Sequence, residues 1–132
     1  MKKQRDEALY AQFKKTWGEH PELSSDEVIK LVLKSPQPRL WVSFNGVYRI
    51  LRKILYNSWT EPKRIARYGL VAEVERKYRR LKQQPVFRDA SAYFLAAFII
   101  AEPSRGFYLS QGSAYNIIRR TRNAHKRRGK AL

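Results

Sequence analysis

The sequence predicts an all-α fold: a compact single domain of about six helices, built as an internal duplication of a three-helix unit with short extended aromatic loops. Three observations carry that reading. Apolar residues recur at helical spacing in six stretches, punctuated by Pro, Gly and capping Ser. Hydrophobic residues make up 43% of the 132 and aromatics 13%, which suits a folded core and not a charged tail. The segment SPQPRLWVSFNGVYRILRK (Ser35 to Lys53) returns as EPSRGFYLSQGSAYNIIRR (Glu102 to Arg120), at a constant offset of 67 residues. A chain of this length is expected to bury roughly 65% of its unfolded surface as one domain.

The first helix is expected from Lys2 to Trp17, with Leu9, Tyr10, Phe13 and Trp17 on one face and Gly18 and Pro21 ending it. The second begins at Ser24 or Ser25, where a capping serine and the Asp26 and Glu27 carboxylates suit the positive end of the helix dipole. It runs to the Pro36–Pro38 break. The third follows the Ser43 cap and carries an apolar stripe of Phe44, Val47, Tyr48, Leu51, Ile54, Leu55 and Trp59. Thr60 caps the fourth, with Glu61 and Pro62 in its first turn. Val71, Val74, Tyr78 and Leu81 form its inner face, and Arg76, Lys77, Arg79, Arg80 and Lys82 its outer face. The fifth opens at Asp89 and is apolar nearly all round, which places it at the centre of the fold. The sixth runs from the Ser110 cap to about Lys126, turning Ala114, Ile117, Ile118 and Thr121 inward, and the basic tail 125–132 frays.

Within the repeat, Pro36 matches Pro103, Ser43 matches Ser110 and Tyr48 matches Tyr115. Ile50, Leu51, Arg52 and Lys53 match Ile117, Ile118, Arg119 and Arg120. The second and fifth helices align at the same offset, and the first and fourth only with a one-residue slip. The expected repeat units are therefore about 1–60 and 61–127.

The chain holds 28 Lys and Arg against 11 Asp and Glu, a formal net charge of +17. Such self-repulsion is relieved by a polyanionic partner. Residues 1–60 carry 11 basic and 6 acidic side chains, and residues 61–132 carry 17 and 5, so the second half is the better contact surface. Two constellations fit nucleic acid. Each repeated helix follows an aromatic loop with an arginine, Arg39 before Trp41 and Arg105 before Phe107 and Tyr108. An arginine fork, a helix N-terminus and stacking rings together suit phosphate and exposed bases. The alternative is that these loops are buried extended segments, including a short β-bridge. The second constellation is the run Arg119, Arg120, Arg122, Lys126, Arg127, Arg128 and Lys130, interleaved with Asn116 and Asn123. Helix-borne cations of this kind contact phosphates, mostly without sequence preference. Arg49, Arg52 and Lys53 are their counterparts on the third helix. A helix–turn–helix is disfavoured by the eight-residue, two-proline connection Pro36–Ser43.

Catalysis finds little support. His20 and His125 are the only histidines, one beside Pro21 and one in the basic tail, and Glu75-Arg76-Lys77 is a nuclease-like triplet set within a strong helical pattern. No phosphate-cradling glycine motif occurs. The absence of cysteine excludes disulfides and thiolate metal sites. No catalytic residue, metal or cofactor is expected. The opening MKKQRDEALYAQFKK has no apolar core and does not read as a signal peptide, and the apolar stretch Ala90–Ala101 is too short to span a bilayer.

The element Pro, two residues, Arg, aromatic, then Ser before a helix resembles one in small basic proteins of Bacteroidetes phages and conjugative elements. The resemblance covers Ser35–Lys53 and its echo; Trp41-Val42 replaces a Phe-Tyr-Val pattern, and Gly106 follows Arg105 in the second copy. It implies a mobile-element origin and no particular activity. The expected function is non-enzymatic binding of DNA or RNA through the phosphate backbone, in the cytoplasm or on a virion. The alternative is a structural or assembly protein whose basic face docks an acidic protein, a second copy of the chain or a packaged genome.

Overall fold

The computed structural model describes residues 1–56 and 65–131, the side chains of 65, 66, 130 and 131 apart. Trp59 and the expected Thr60–Pro62 helix start lie outside the described residues. The fold is all-α: α1 (Lys2–Glu19), α2 (Ser25–Leu33), α3 (Phe44–Leu55), α4 (Ile65–Lys82), α5 (Ala92–Ala101) and α6 (Gln111–Ala131), with a 3₁₀ turn at Pro85–Phe87. Four serines start four helices by accepting a backbone N–H of the first turn: Ser24 from Glu27, Ser43 from Gly46, Ser91 from Phe94 and Ser110 from Ser113. They fall into two pairs 67 residues apart, Ser24 with Ser91 and Ser43 with Ser110.

Helix α1 passes through Gly18 to Glu19, beyond the expected end at Trp17, and two other helix ends differ from expectation. Helix α5 starts at the Ser91 cap and not at Asp89, because Lys82 Nζ holds the carbonyls of Arg88 (2.8 Å) and Ala90 (2.9 Å) in the preceding turn. Helix α6 continues to Ala131 where fraying after Lys126 was expected. Its last turns are tied to α1, with His125 Nε2 2.8 Å and Arg128 Nη2 3.4 Å from the Glu7 carboxylate.

The helices group into two compact units, residues 1–35 with 109–132, and residues 36–108. The first contains α1, α2 and α6, and the second α3, α4 and α5. These units cut across the expected repeat units 1–60 and 61–127. Each combines the first two helices of one half with the third helix of the other, because the loop before each third helix is extended and not a tight turn. In the first unit Leu9, Tyr10 and Phe13 pack with Val28, Ile29, Val32, Ala114, Ile117 and Ile118. In the second, Leu40, Val47, Ile50 and Leu51 pack with Leu70, Val71, Val74, Leu81, Leu95, Ala96 and Ile99. Positions 67 apart share their burial: Val28 and Leu95, Ile29 and Ala96, Val32 and Ile99, Leu40 and Phe107, Val47 and Ala114, Ile50 and Ile117, Leu51 and Ile118. In the second unit Gln37 and Ser104, also 67 apart, form an isolated antiparallel bridge with both N–H···O distances 2.8 Å.

Helix α5 is not covered on several sides. Leu95, Ala96 and Ile99 face α3 and α4, but Tyr93, Phe94 and Phe98 are 61%, 52% and 39% exposed. Ten residues with one packed face need no apolar residues on the other. The exposed rings shelter one another instead, Phe94 against Phe98 at 5.2 Å and Phe98 against Phe87 at 5.0 Å.

Lys77 also departs from expectation: it is buried, not part of an outer basic face. Its Nζ donates to the carbonyls of Ile99 (3.2 Å) and Glu102 (3.3 Å) at the α5 C-terminus, and sits 3.7 Å from Glu73. Burial pulls the ammonium below the usual lysine range, opposed by the charges of Glu73 and Glu102. Glu73, itself buried, accepts from Ser104 Oγ (3.0 Å) and from the Arg105 N–H (2.8 Å). Tyr108 completes this cluster with φ 56°, a left-handed conformation uncommon for a bulky residue. Gly69 makes room for its ring: a Cβ there would lie 3.0 Å from Tyr108 Cε1.

Burial, and then the Glu73 carboxylate, push the Tyr108 phenol up to about 12. An unfolded tyrosine ionises near pH 10. Below that value both states keep the proton and the contribution to stability is full. Between pH 10 and 12 the unfolded state releases its proton first, so stability falls as pH rises. Urea midpoints at about pH 9 and about pH 11.5 should show this loss in the wild type and not in Tyr108→Phe. The comparison with Phe removes the opposing alkaline titration of Lys77; equal losses in the two proteins would refute the assignment.

Candidate nucleic-acid interface

Ion pairing sorts the cations into two classes. Five of the six on α4 are engaged: Arg79 with Glu75 at 2.6 Å, Arg76 with Glu73 at 3.7 Å, Arg80 with Glu102, and Lys77 and Lys82 with backbone carbonyls, while Arg67 is exposed without a described carboxylate partner. The outer face of α4 is therefore not the basic surface its sequence suggests. The Glu75-Arg76-Lys77 triplet is also split, because Glu75 meets Arg79 at the surface while Lys77 enters the core.

Helix α6 is different. Ala114, Ile117, Ile118 and Thr121 turn inward as expected, and Asn116, Arg119, Arg120, Arg122, Asn123, Lys126, Arg127 and Arg128 are exposed. Along the border with α1, Asp6 lies 3.5 Å from Arg120, and Glu7 binds His125 and Arg128. The hydrogen bond from His125 is the largest cause holding the Glu7 carboxyl below its usual range. The Tyr10 ring meets His125 edge-on at 5.0 Å and fixes this border. No described carboxylate pairs with Arg119, Arg122, Lys126 or Arg127. Positions 119, 122 and 126 follow one another on one face of the helix, neighbours about 5–6 Å apart. The side chain of Lys130 lies outside the described residues.

The second unit presents a smaller cluster. Arg49, Arg52 and Lys53 are exposed on α3 with no described carboxylate partner. With Asn45, Tyr48 and Tyr56 they line an open groove of about 340 Å³. The Arg52 guanidinium sits 5.9 Å from the Tyr48 ring centre. The aromatic loops split the two readings made of them. Leu40 and Phe107 are buried, and the extended chain carries the bridge. Arg39 lies 5.1 Å from the Trp41 ring with Nε donating to the Leu40 carbonyl, so part of its fork is occupied, whereas Arg105 is exposed.

Sequence reasoning missed the exposed aromatics beside these cations. Trp17, assigned to the inner stripe of α1, is 41% exposed, and Tyr115 on α6 is 48% exposed. Buried Thr16 takes the inward position next to Trp17. A threonine one turn after Phe13 was the available signal.

Comparison of the chain with protein-family models, with curated proteins and with solved structures finds no match. Among the described residues no three His, Cys, Asp or Glu side chains converge as a metal site would require, and no helix is long and apolar enough to cross a membrane.

Proposed function

We propose that this chain is a non-enzymatic nucleic-acid-binding protein that grips the phosphate backbone, chiefly through α6 and secondarily through α3. The supporting observation is the run of exposed cations on these two helices, Arg119, Arg122, Lys126 and Arg127 on α6 and Arg49, Arg52 and Lys53 on α3, none of which has a described carboxylate partner. Arginine forks and lysines spaced along a helix match the repeating negative charge of a strand, and they carry little sequence information. The same proposal treats α3 and α6 as the third helices of one duplicated segment, which accounts for their shared Ser cap, Tyr and basic positions.

Titration of the purified protein with duplex DNA, single-stranded DNA and structured RNA tests this reading. With only Arg119, Arg122, Lys126 and Arg127 on phosphates, affinity for duplex should fall roughly 100-fold between about 50 and about 200 mM salt, with a log–log slope of about −3.6. Absence of binding at the lower salt would refute it. The exposed aromatic face of α5 favours a second reading, an assembly protein docking another protein. That reading gains if the chain self-associates and binds no nucleic acid.

A further inference from the structure

We infer that the first unit contains a base-stacking pocket, so that the preferred ligand is a single strand whose unpaired base inserts between Trp17 and Tyr115. The inference rests on the backbone-binding reading above and adds a substrate class to it.

Between α1, α2 and α6 lies a cavity of about 160 Å³. Its floor is apolar, with buried Phe13 and Ile29, and its walls include Trp17 and Tyr115. Arg119 and Arg122 line it as well. The size is informative, because a cavity of about 150 Å³ lined by aliphatic and aromatic side chains holds a single benzene ring. One flat ring is the occupant this volume suits.

The walls are prepared for it. Phe13 meets Trp17 edge-on at 5.0 Å with an interplanar angle of 86°, which fixes the indole while leaving it 41% exposed. Tyr115 stands one turn before Arg119 on α6. A ring entering here replaces water on two exposed aromatic faces at little conformational cost. Stacking itself is open to every base through its π-face, and the one-ring volume favours a pyrimidine.

Charge decides between the two sources of a flat ring, a nucleobase and an aromatic residue of a peptide. Arg119 and Arg122 have no described carboxylate partner, and the row continues past the pocket to Lys126, about 10 Å along the helix from Arg119. A track of cations leading away from a one-ring pocket matches a polymer that alternates rings with regularly spaced anions. Duplex keeps its bases stacked inside and offers the pocket nothing, although its phosphates can still reach the track.

The test compares an oligothymidine of about twelve nucleotides with a duplex of the same length, at low salt, by anisotropy and tryptophan emission. The single strand should bind more tightly and quench part of the emission, and the quenching should vanish in Trp17→Leu. In the Trp17→Ala/Tyr115→Ala variant, single-strand affinity should fall about 10- to 100-fold, with duplex affinity unchanged. Trp17→Phe/Tyr115→Phe keeps both rings and should keep single-strand affinity, which separates stacking from a folding defect. Duplex binding with no effect of the alanine variant on the single strand would overturn this inference and leave the backbone reading standing. Failure of the wild type to bind either ligand would overturn both. Tighter binding of a glutamate–tyrosine copolymer than of oligothymidine would assign the pocket to a protein partner instead.

Discussion

Replacing Arg119, Arg122, Lys126 and Arg127 together by glutamate is expected to abolish nucleic-acid binding while leaving the fold intact. At about 50 mM salt each neutralised phosphate contributes roughly tenfold to affinity relative to 1 M salt. Four losses therefore remove roughly 10,000-fold, and the new negative charges repel the strand further. The fold should tolerate the change because all four side chains are exposed and pair with no described carboxylate. Surface substitutions of this kind shift stability by about 0.5 kcal/mol or less each, and removing like charge from a +17 chain acts in the stabilising direction. The informative control is on α4. Arg79→Gln/Arg80→Gln removes two cations that are equally conspicuous in sequence but already paired with Glu75 and Glu102. It should bind as the wild type does. Equal losses in the two proteins would show that binding follows total charge and not the unpaired cations. Retained affinity in the α6 variant would shift the contact surface to Arg49, Arg52 and Lys53.

The helices were legible because their signals are local. Ser24, Ser43 and Ser110 cap where the spacing of apolar residues says they should, and the stripe of α3 turns Val47 and Leu51 into the core. What sequence did not show is which helix meets which. Periodicity marks a buried face without naming its partner, so the units that pair α1 and α2 with α6, and α4 and α5 with α3, could not be read from halves of the chain. The same limit explains α5, whose apolar outer face looks like a core helix although only one side is packed. Lys77 shows it at the scale of one residue. A lysine amid Arg76, Arg79 and Arg80 reads as surface, and the carbonyls that hold it belong to residues 22 and 25 positions later. The candidate interface was half legible. Its cations are visible in the sequence, but their division into paired and available depends on carboxylates brought by other turns and helices, and Trp17 lies at the exposed edge of the packed face and not within it.

The largest effect on stability is expected at Glu73. Its carboxylate is the charge opposite buried Lys77, and it also accepts from Ser104 Oγ and the Arg105 N–H, which fixes the segment just before the Ser110 cap. Glu73→Ala would leave a buried ammonium without its nearest counter-charge and a loop amide without an acceptor. Breaking a buried pair from one side costs about 3–5 kcal/mol, a large share of the 5–15 kcal/mol typical of a whole protein. Lys77→Met should cost less. It frees the carbonyls of Ile99 and Glu102, but Glu73 keeps Ser104, the Arg105 amide and Arg76 at 3.7 Å. The decisive variant is the double replacement Glu73→Leu/Lys77→Met. With both charges gone, the desolvation penalty disappears along with the attraction, so the double variant should be more stable than Glu73→Ala alone. Urea midpoints of the three proteins measure this directly. A loss below about 1 kcal/mol in Glu73→Ala would mean that solvent reaches Lys77 and that the cluster does not hold the loop. A double variant as unstable as the sum of the single ones would mean that the hydrogen bonds to Ser104 and Arg105, and not the charge pair, are what the second unit depends on.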